Sequence, residues 1–537
     1  MGFKNFYKGF KTTFETCIGK TPKEQNHNVM IIELNGLFYN SCRKLSEYQG
    51  IRRRKEINLY LFEKVCENLH TIIGEYHPTQ KLLLVVDGVS GMMKNIEQRQ
   101  RRYKNSLENK YGDLVDLNSF SPGSNLLHFM TKYIDWFLKI KMMNDKIYQN
   151  LEIYFSNEKV PGEGEVKLFH FIRKRCTLND RILIYSCDSD VILLSLLLEP
   201  FSITIVRNST IHGIEFVNVT EIREQMYKKF SHDKTETKSL FWMDMFVLFL
   251  LLGNDYLPAS PCVYNFSILE KKILPEYQKQ KRLFFNQKYE LQILPFCEFL
   301  STIGQHEKNW LVEKYDKEEN SYYPDIIYRN DQSPVSFDFK TYKKHYNHLN
   351  MIDHNSVTDY LQTIQNVMNM IFQQNFDWLY FYPNYKSPFL SDFICNEEME
   401  KNYRVKIDST HSRSEKFMFE PVYHSLTVLP PHSRSLLPIP FQNVFQKLHH
   451  YYPSYIEIDL TGKCKLWEGV LKLPILSPLD YMKYYNEQKQ YLSKEEHKRN
   501  IVGKTFLYLY REYSWYDFYS YYGNIENCKI RTNLLEI

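Results

Sequence analysis

Seven carboxylates in this chain stand beside short apolar runs or tight turns, and that placement suggests chemistry. Glu33 closes the run VMIIE, Asp87 follows KLLLVV, and Asp188 and Asp190 follow RILIYS in the segment SCDSD. Glu163 and Glu165 lie in PGEGE, and Asp255 lies in LLGNDYLP behind a strongly apolar stretch. If these groups converge, their charges oppose one another. Two unit charges about 4 Å apart repel by about 4 kcal/mol at an effective dielectric of about 20. Such a cluster must recruit cations or keep some members protonated. All-oxygen ligands favour Mg²⁺ or Mn²⁺ over zinc. A pair of such ions suits phosphodiester hydrolysis, one activating water and the other stabilising the leaving oxygen. Each residue alone has a plainer reading: Asp87-Gly88 as a turn, a Glu of PGEGE as a solvated loop charge, Asp188 as a helix cap. The plain readings weaken when all seven are taken together.

A second set follows Asp87-Gly88. Lys94, Gln98, Arg101 and Arg102 are spaced i, i+4, i+7, i+8, which puts them on one helical face. Arg grips phosphate through paired N–H groups and Lys adds a point charge. A cationic face beside an acidic metal site suits a terminal phosphate; an exposed basic helix face is the plainer alternative. The aromatic block Trp378–Tyr385 could stack bases, although its spacing favours core packing. His411, His432, His449 and His450 show no ligand pattern. Arg52–Arg54 with Lys55 reads as a solvated helix start rather than a nuclear signal.

These groups need a scaffold that gathers strand ends at one edge. Val29–Leu34, Lys81–Gly88, Arg181–Ser186 and Ser202–Val206 are short Ile/Leu/Val-rich runs closed by turn residues, as buried parallel strands are. Glu56–Ile73 and Asn125–Ile140 have helical period between them. The alternation predicts an α/β fold, a mainly parallel twisted sheet flanked by helices. In such sheets ligands bind beyond the carboxyl ends of the strands. The predicted organisation is a core over residues 1–262 and a helical connector over 263–370, with a loop at Asp316–Ser336. An aromatic- and proline-rich region over 371–480 completes the pocket, and a helical tail covers 481–537.

Composition narrows the class without deciding it. The 537 residues are 43% hydrophobic, enough for one large or two ordinary cores. A net charge of +5 permits a nucleic-acid partner but does not require one. Ten scattered cysteines without zinc spacing read as free thiols of a reducing compartment. No run reaches membrane-spanning length, the start is not a signal peptide, and a soluble intracellular protein is expected.

The motifs, in their order, resemble those of the XRN family of 5′→3′ exoribonucleases. They are MGFKNFYKGF, IELNGLFYN, VVDGVSGMMKNIEQRQRRYK, SPGSNLLHFM, VPGEGEVKLFHFIR, YSCDSDVILLSLLL and LLGNDYLP. WLYFYPNYKSPFLSDF, VLPPHS and IDLTGKCKLWEGVLKLP extend the match, which runs roughly over residues 1 to 480. The resemblance implies a PIN/FEN-like nuclease core with two divalent ions held by Asp87, Glu163, Glu165, Asp188, Asp190 and Asp255. It implies a small 5′-monophosphate pocket at Lys94, Gln98, Arg101 and Arg102, and processive release of nucleoside 5′-monophosphates. Three positions depart from the family's pattern. Glu33 stands where the family has Asp, which extends the carboxylate by one methylene. Tyr39 stands where a His stacks on the first base. Tyr380 takes the place of a second tryptophan after Trp378. The chain resembles a pared-down catalytic core.

The expected function is therefore metal-dependent exonucleolytic decay of 5′-monophosphorylated single-stranded RNA in mRNA turnover. The expected setting is a cytoplasmic monomer near the decapping machinery, with a nuclear location left open. A structure-specific DNA flap nuclease shares the acidic-strand logic and is one alternative. A catalytically weak RNA-binding scaffold, suggested by Glu33, is another.

Overall fold

Apolar runs of this kind can be buried on both sides only in a sheet that carries helices on each face. The computed structural model shows such a sheet. It describes residues 6–22, 26–45, 54–108, 115–209, 213–231, 237–280, 282–317, 335–395, 400–401, 403–404, 418–461, 469–513 and 516–536. In chain order the strands are β1 (Ile18–Gly19), β2 (Val29–Glu33), β3 (Lys81–Val85), β4 (Glu152–Ser156), β5 (Arg181–Tyr185), β6 (Ser202–Ser209) and β7 (Gly213–Asn218). The remainder are β8 (Ile458–Asp459), β9 (Val470–Leu471), β10 (Thr505–Tyr510), β11 (Tyr516–Phe518), β12 (Ile525–Cys528) and β13 (Ile530–Leu535). Among the described residues the main sheet has nine strands, in the order β1-β7-β6-β5-β2-β3-β4-β10-β13. β2 to β6 run parallel, and the outer strands are antiparallel.

Alternation along each strand feeds two cores. Val29, Ile31, Leu83, Val85, Ile182 and Ile184 point into one; Met30, Ile32, Leu82, Leu84 and Leu183 point into the other. The first core continues without a break into the helices Ile293–Gly304, Glu307–Lys317 and His354–Phe372. A third cluster, around Val89 and Met92, packs the helix Pro421–Val428 against the helix Met92–Glu108. Among the described residues no helix is long and apolar enough to cross a membrane, and the cysteines are free thiols.

The expected α/β class holds, with four corrections. β4 was not among the expected strands, because five residues between two helices show no clear period. Asn35-Gly36 does not form a turn: the helix Leu34–Lys44 starts directly after β2, and Asn35 Oδ1 accepts the Asp87 N–H at 2.8 Å. The run Lys81–Gly88 leaves the sheet early, at Val85. The tail 481–537 is only partly helical; after Pro478–Gln488 and Lys494–Arg499 it turns into β10 to β13. The Thr-Phe-Leu-Tyr-Leu-Tyr run of β10 favours a strand, and the bare edge of β4 offers it a ladder. β10 pairs there with Phe506 opposite Phe155 and Tyr508 opposite Ile153. Buried Lys139 pins the addition, its Nζ 4.7 Å from the Tyr508 ring centre and 4.3 Å from that of Phe518. Most of the expected loop Asp316–Ser336, His411, and Arg52 and Arg53 lie outside the described residues.

Candidate metal centre and basic face

β2, β3 and β5 end side by side, and strand order reverses between β2 and β5. A parallel sheet opens its ligand cleft at such a switch point. Glu33 is the last residue of β2, and Ser186 Oγ, just beyond β5, donates to its Oε2 at 2.5 Å. Asp87 lies two residues past β3, where its Oδ1 accepts the Gly164 N–H at 2.8 Å. Glu163 and Glu165 flank the start of the helix Gly164–Arg175. Asp188 N–H donates to Ser186 Oγ at 3.0 Å, and Asp188 Oδ1 accepts the Asp190 N–H at 3.3 Å. Glycine makes the approach of these loops feasible. A Cβ on Gly88 would lie 1.8 Å from the Val160 carbonyl oxygen, and Gly162 has φ +98. Lys167 fastens the floor by donating to the carbonyls of Val86 (2.7 Å) and Asn157 (3.0 Å); burial pushes its ammonium down to about 7.

All seven expected carboxylates meet here. Glu33, Asp87 and Glu165 bring oxygens within 4.8 Å of one another. Burial, then Asp188 and Asp87, raise the Glu33 carboxyl to about 8. Burial, then Glu163, push Glu165 well up; burial, then Asp188 and Asp255, do the same to Asp190. The cluster therefore calls for positive charge, and one cation already answers. Lys94 Nζ pairs with Glu163, with Asp255 Oδ2 at 2.5 Å and with Glu165 Oε1 at 3.8 Å. Burial opposes that ammonium, and Asp255, Glu163 and Glu165 more than reverse the effect. For Asp255 they work the other way: its burial is outweighed by Lys94 and Arg101, and the carboxyl falls to about 2. An all-oxygen donor set that gathers an ammonium at its centre fits hard divalent cations.

The basic residues share the helix Met92–Glu108, as their spacing predicts, but divide their work. Lys94 turns to the acids. Arg102 donates to Ser121 Oγ at 2.5 Å and to Gln98 Oε1 at 3.2 Å, both neutral. Burial lowers its guanidinium to about 10. Arg101 lies in the field of Glu97, Tyr39, Asp255 and Asp87, which together overcome its burial and raise it. Tyr39 packs edge-on to Phe120 at 5.2 Å, beside both guanidiniums. A buried cation hydrogen-bonded only to neutral groups is a ready seat for an anion.

Trp378 stacks on Phe376 at 4.9 Å, and its carbonyl accepts the Met92 N–H at 2.9 Å, so it braces the start of the basic helix. Tyr380 packs on the helix His354–Phe372, where its hydroxyl donates to the Asp359 carbonyl at 3.0 Å. Sequence reading missed Tyr256, whose hydroxyl donates to Glu163 Oε1 at 2.8 Å. Its place next to Asp255 was the available signal. Nothing in the sequence pointed to Ser186 or Lys167, whose roles depend on strands meeting in space.

A doubly covered parallel sheet with a polycarboxylate switch-point site defines an α/β protein suited to divalent cations and phosphate groups. Residues 1–209 match the profile of the XRN 5′-3′ exonuclease N-terminus, and residues 337–536 match that of the Xrn1 helical domain. Together these spans take in well over half of the chain, which belongs to the XRN family. It is 22% identical to the human 5′-3′ exoribonuclease 1, over 96% of this chain and 35% of that protein. It is also 22% identical to the 5′-3′ exoribonuclease 1 of Saccharomyces cerevisiae, over 89% of this chain and 42% of that protein. The chain thus spans less than half the length of these two relatives. The catalytic core of Rad2 in complex with DNA substrate (complex III) overlaps 76% of this chain and 97% of its own at 13% identity, with a TM-score of only 0.35.

Proposed function

We propose that this chain is a 5′→3′ exoribonuclease that degrades 5′-monophosphorylated single-stranded RNA processively to nucleoside 5′-monophosphates. One observation carries the reading: a cation-seeking carboxylate cluster gathers at the carboxyl edge of the sheet, and a buried, neutrally bonded Arg102 lies on the helix that follows β3. Family membership supports RNA as the substrate and 5′→3′ as the direction. The groups that would hold two Mg²⁺ or Mn²⁺ ions are Glu33, Asp87, Glu163, Glu165, Asp188, Asp190 and Asp255. What such ions supply when bound is an acidified water and charge relief at the leaving oxygen.

The chain's own residues do the rest. Gln98, Arg101 and Arg102 receive the terminal phosphate, and Tyr39 offers a ring for the first base. Lys94 joins the basic helix to the acids and offsets part of their charge. Ser186 and Tyr256 hold the Glu33 and Glu163 oxygens in orientation. In the same proposal the chain acts in mRNA decay as a cytoplasmic monomer, on ends made available by decapping.

The deciding experiment incubates the protein with 5′-monophosphate RNA, 5′-triphosphate RNA and a structured DNA flap, with and without Mg²⁺. Only the monophosphate RNA is expected to decay, and only with metal. Equal persistence of both RNAs with metal present overturns the proposal, and cleavage confined to the flap replaces it with a DNA nuclease.

A further inference from the structure

Behind the basic face a buried polar ring joins two segments far apart in sequence. Ser90 Oγ donates to Asn95 Oδ1 at 2.9 Å, and Asn95 Nδ2 donates to Thr427 Oγ1 at 3.0 Å. Thr427 Oγ1 donates to the His424 carbonyl at 2.8 Å. His424 Nε2 lies 3.3 Å from Ser90 Oγ and closes the ring. Two residues of the basic face hang from it. Gln98 Nε2 donates to Ser90 Oγ at 3.4 Å, and Gln98 Oε1 accepts from Arg102 at 3.2 Å. Every side chain in this set is buried, His424 completely.

The protons in the ring can be assigned one by one. Ser90 has a single hydroxyl proton, and Asn95 Oδ1 takes it. Ser90 can then only accept, so both Gln98 and His424 must donate to it. His424 is therefore the Nε2–H tautomer, and its buried Nδ1 has no partner. The other tautomer would set two lone pairs against each other or take the proton from Asn95 Oδ1. Burial, and then the nearby Arg102, hold the imidazole well below its ordinary range, which keeps it neutral.

We propose that His424 is a positioning residue for recognition of the RNA 5′ end. Its Nε2–H fills the remaining acceptor site of Ser90 and fixes that hydroxyl. The Gln98 amide, whose oxygen must face the donor-only guanidinium of Arg102, is thereby anchored at its other end by its Nε2–H on Ser90. With the amide oxygen toward the guanidinium, the Ser90–Gln98–Arg102 line presents its remaining N–H groups to a terminal phosphate. Without the imidazole N–H, Ser90 is free to turn, and the Gln98 amide keeps its bond from Arg102 but loses the fixed anchor behind it. This inference rests on the phosphate pocket of the proposed function and adds a part supplied by residues 421–428.

The test compares RNAs that differ only in a 5′-monophosphate or a 5′-hydroxyl, with Mg²⁺, and reads the ratio of their kcat/KM. His424→Phe keeps a ring of similar size but has no donor. It is expected to lower the ratio about tenfold through a higher KM for the monophosphate RNA alone. His424→Gln keeps an N–H within reach of Ser90 and is expected to restore the ratio. Thr427→Val opens the ring from its other side and is expected to lower the ratio too. A wild-type ratio in His424→Phe, an equal loss on both RNAs, or a Gln variant no better than Phe overturns the inference. If His424→Phe does not fold, Thr427→Val decides, and an unchanged ratio there overturns it. A wild-type protein without end preference would instead overturn the phosphate pocket, and this inference with it.

Discussion

The acidic and basic halves of the site are built in opposite ways. The acids come from separate strand ends and loops, and backbone N–H groups orient several of them: Gly164 for Asp87, and Asp190 for Asp188. The basic residues come from one helix, and side chains orient them, some from more than three hundred residues away, as with Ser90 and His424. The acidic half carries crowded like charge and is held together against it by the sheet. The basic half is tied together by hydrogen bonds among mostly neutral side chains and carries less charge conflict. Activity and stability should therefore part company in the acidic half and travel together in the basic half.

The sharpest way to break this contrast is Asp190→Asn. Removing a carboxylate that burial, Asp188 and Asp255 all disfavour in its charged form should lower metal-dependent RNA decay by roughly 10²–10³-fold. The thermal midpoint in EDTA should stay the same or rise. A variant that melts well below wild type would show that the acids are not in conflict.

Lys94→Met tests the bridge between the halves. The metal-free protein should lose about 3–5 kcal/mol at pH 8, because Glu163 and Asp255 are left buried without their cation. Added Mg²⁺ should then raise its melting temperature by more than it raises that of wild type. Equal metal-induced shifts in the two proteins would count against the bridging role.

A third comparison uses His170, buried in the helix that begins at the acids. Burial holds its imidazole down to about 4, below its ordinary 6.5. The folded state thus favours the neutral form. Its contribution is complete above about 6.5 and is lost as pH falls toward about 4. His170→Gln should remove roughly 1–3 kcal/mol of that acid sensitivity. Parallel stability–pH curves for variant and wild type would show that the histidine carries none of it.

The smallest effect is expected from Glu33→Asp. The shorter side chain withdraws from Ser186, while Asp87 and Glu165 keep their places. Metal-dependent decay should change by less than about tenfold, equivalent to about 1.4 kcal/mol. A larger loss, read from single-turnover rates, would make Glu33 a principal ligand.

Much of the fold was legible where burial is two-sided. β2, β3 and β5 are continuous apolar runs with Glu33, Asp87, Asp188 and Asp190 at or just past their ends. Parallel pairing brings these four to one edge, while Glu163, Glu165 and Asp255 arrive on a helix start and a loop. β4 and β10 were missed for a different reason. Five residues with a polar start, as in β4, look alike as strand, loop or helix until a neighbouring ladder decides. The β-favouring run of β10 lies in a tail whose Lys, Glu and Tyr content reads as helical. The i, i+4, i+7, i+8 spacing placed Lys94, Gln98, Arg101 and Arg102 on one helix, but it could not show that Lys94 turns to the acids while Arg102 bonds neutral side chains.

That division marks the limit of one-dimensional reading. The amino-acid sequence by itself determined the α/β class, the seven carboxylates, the basic helix face and the family, because these depend on local period and on motif order. Tertiary structure alone decided that Lys94 turns to the acids, that Ser186, Lys167 and Tyr256 hold them, and that His424 stands behind Gln98. Each of those roles depends on which donor meets which acceptor after distant segments pack, and chain spacing does not encode that distance.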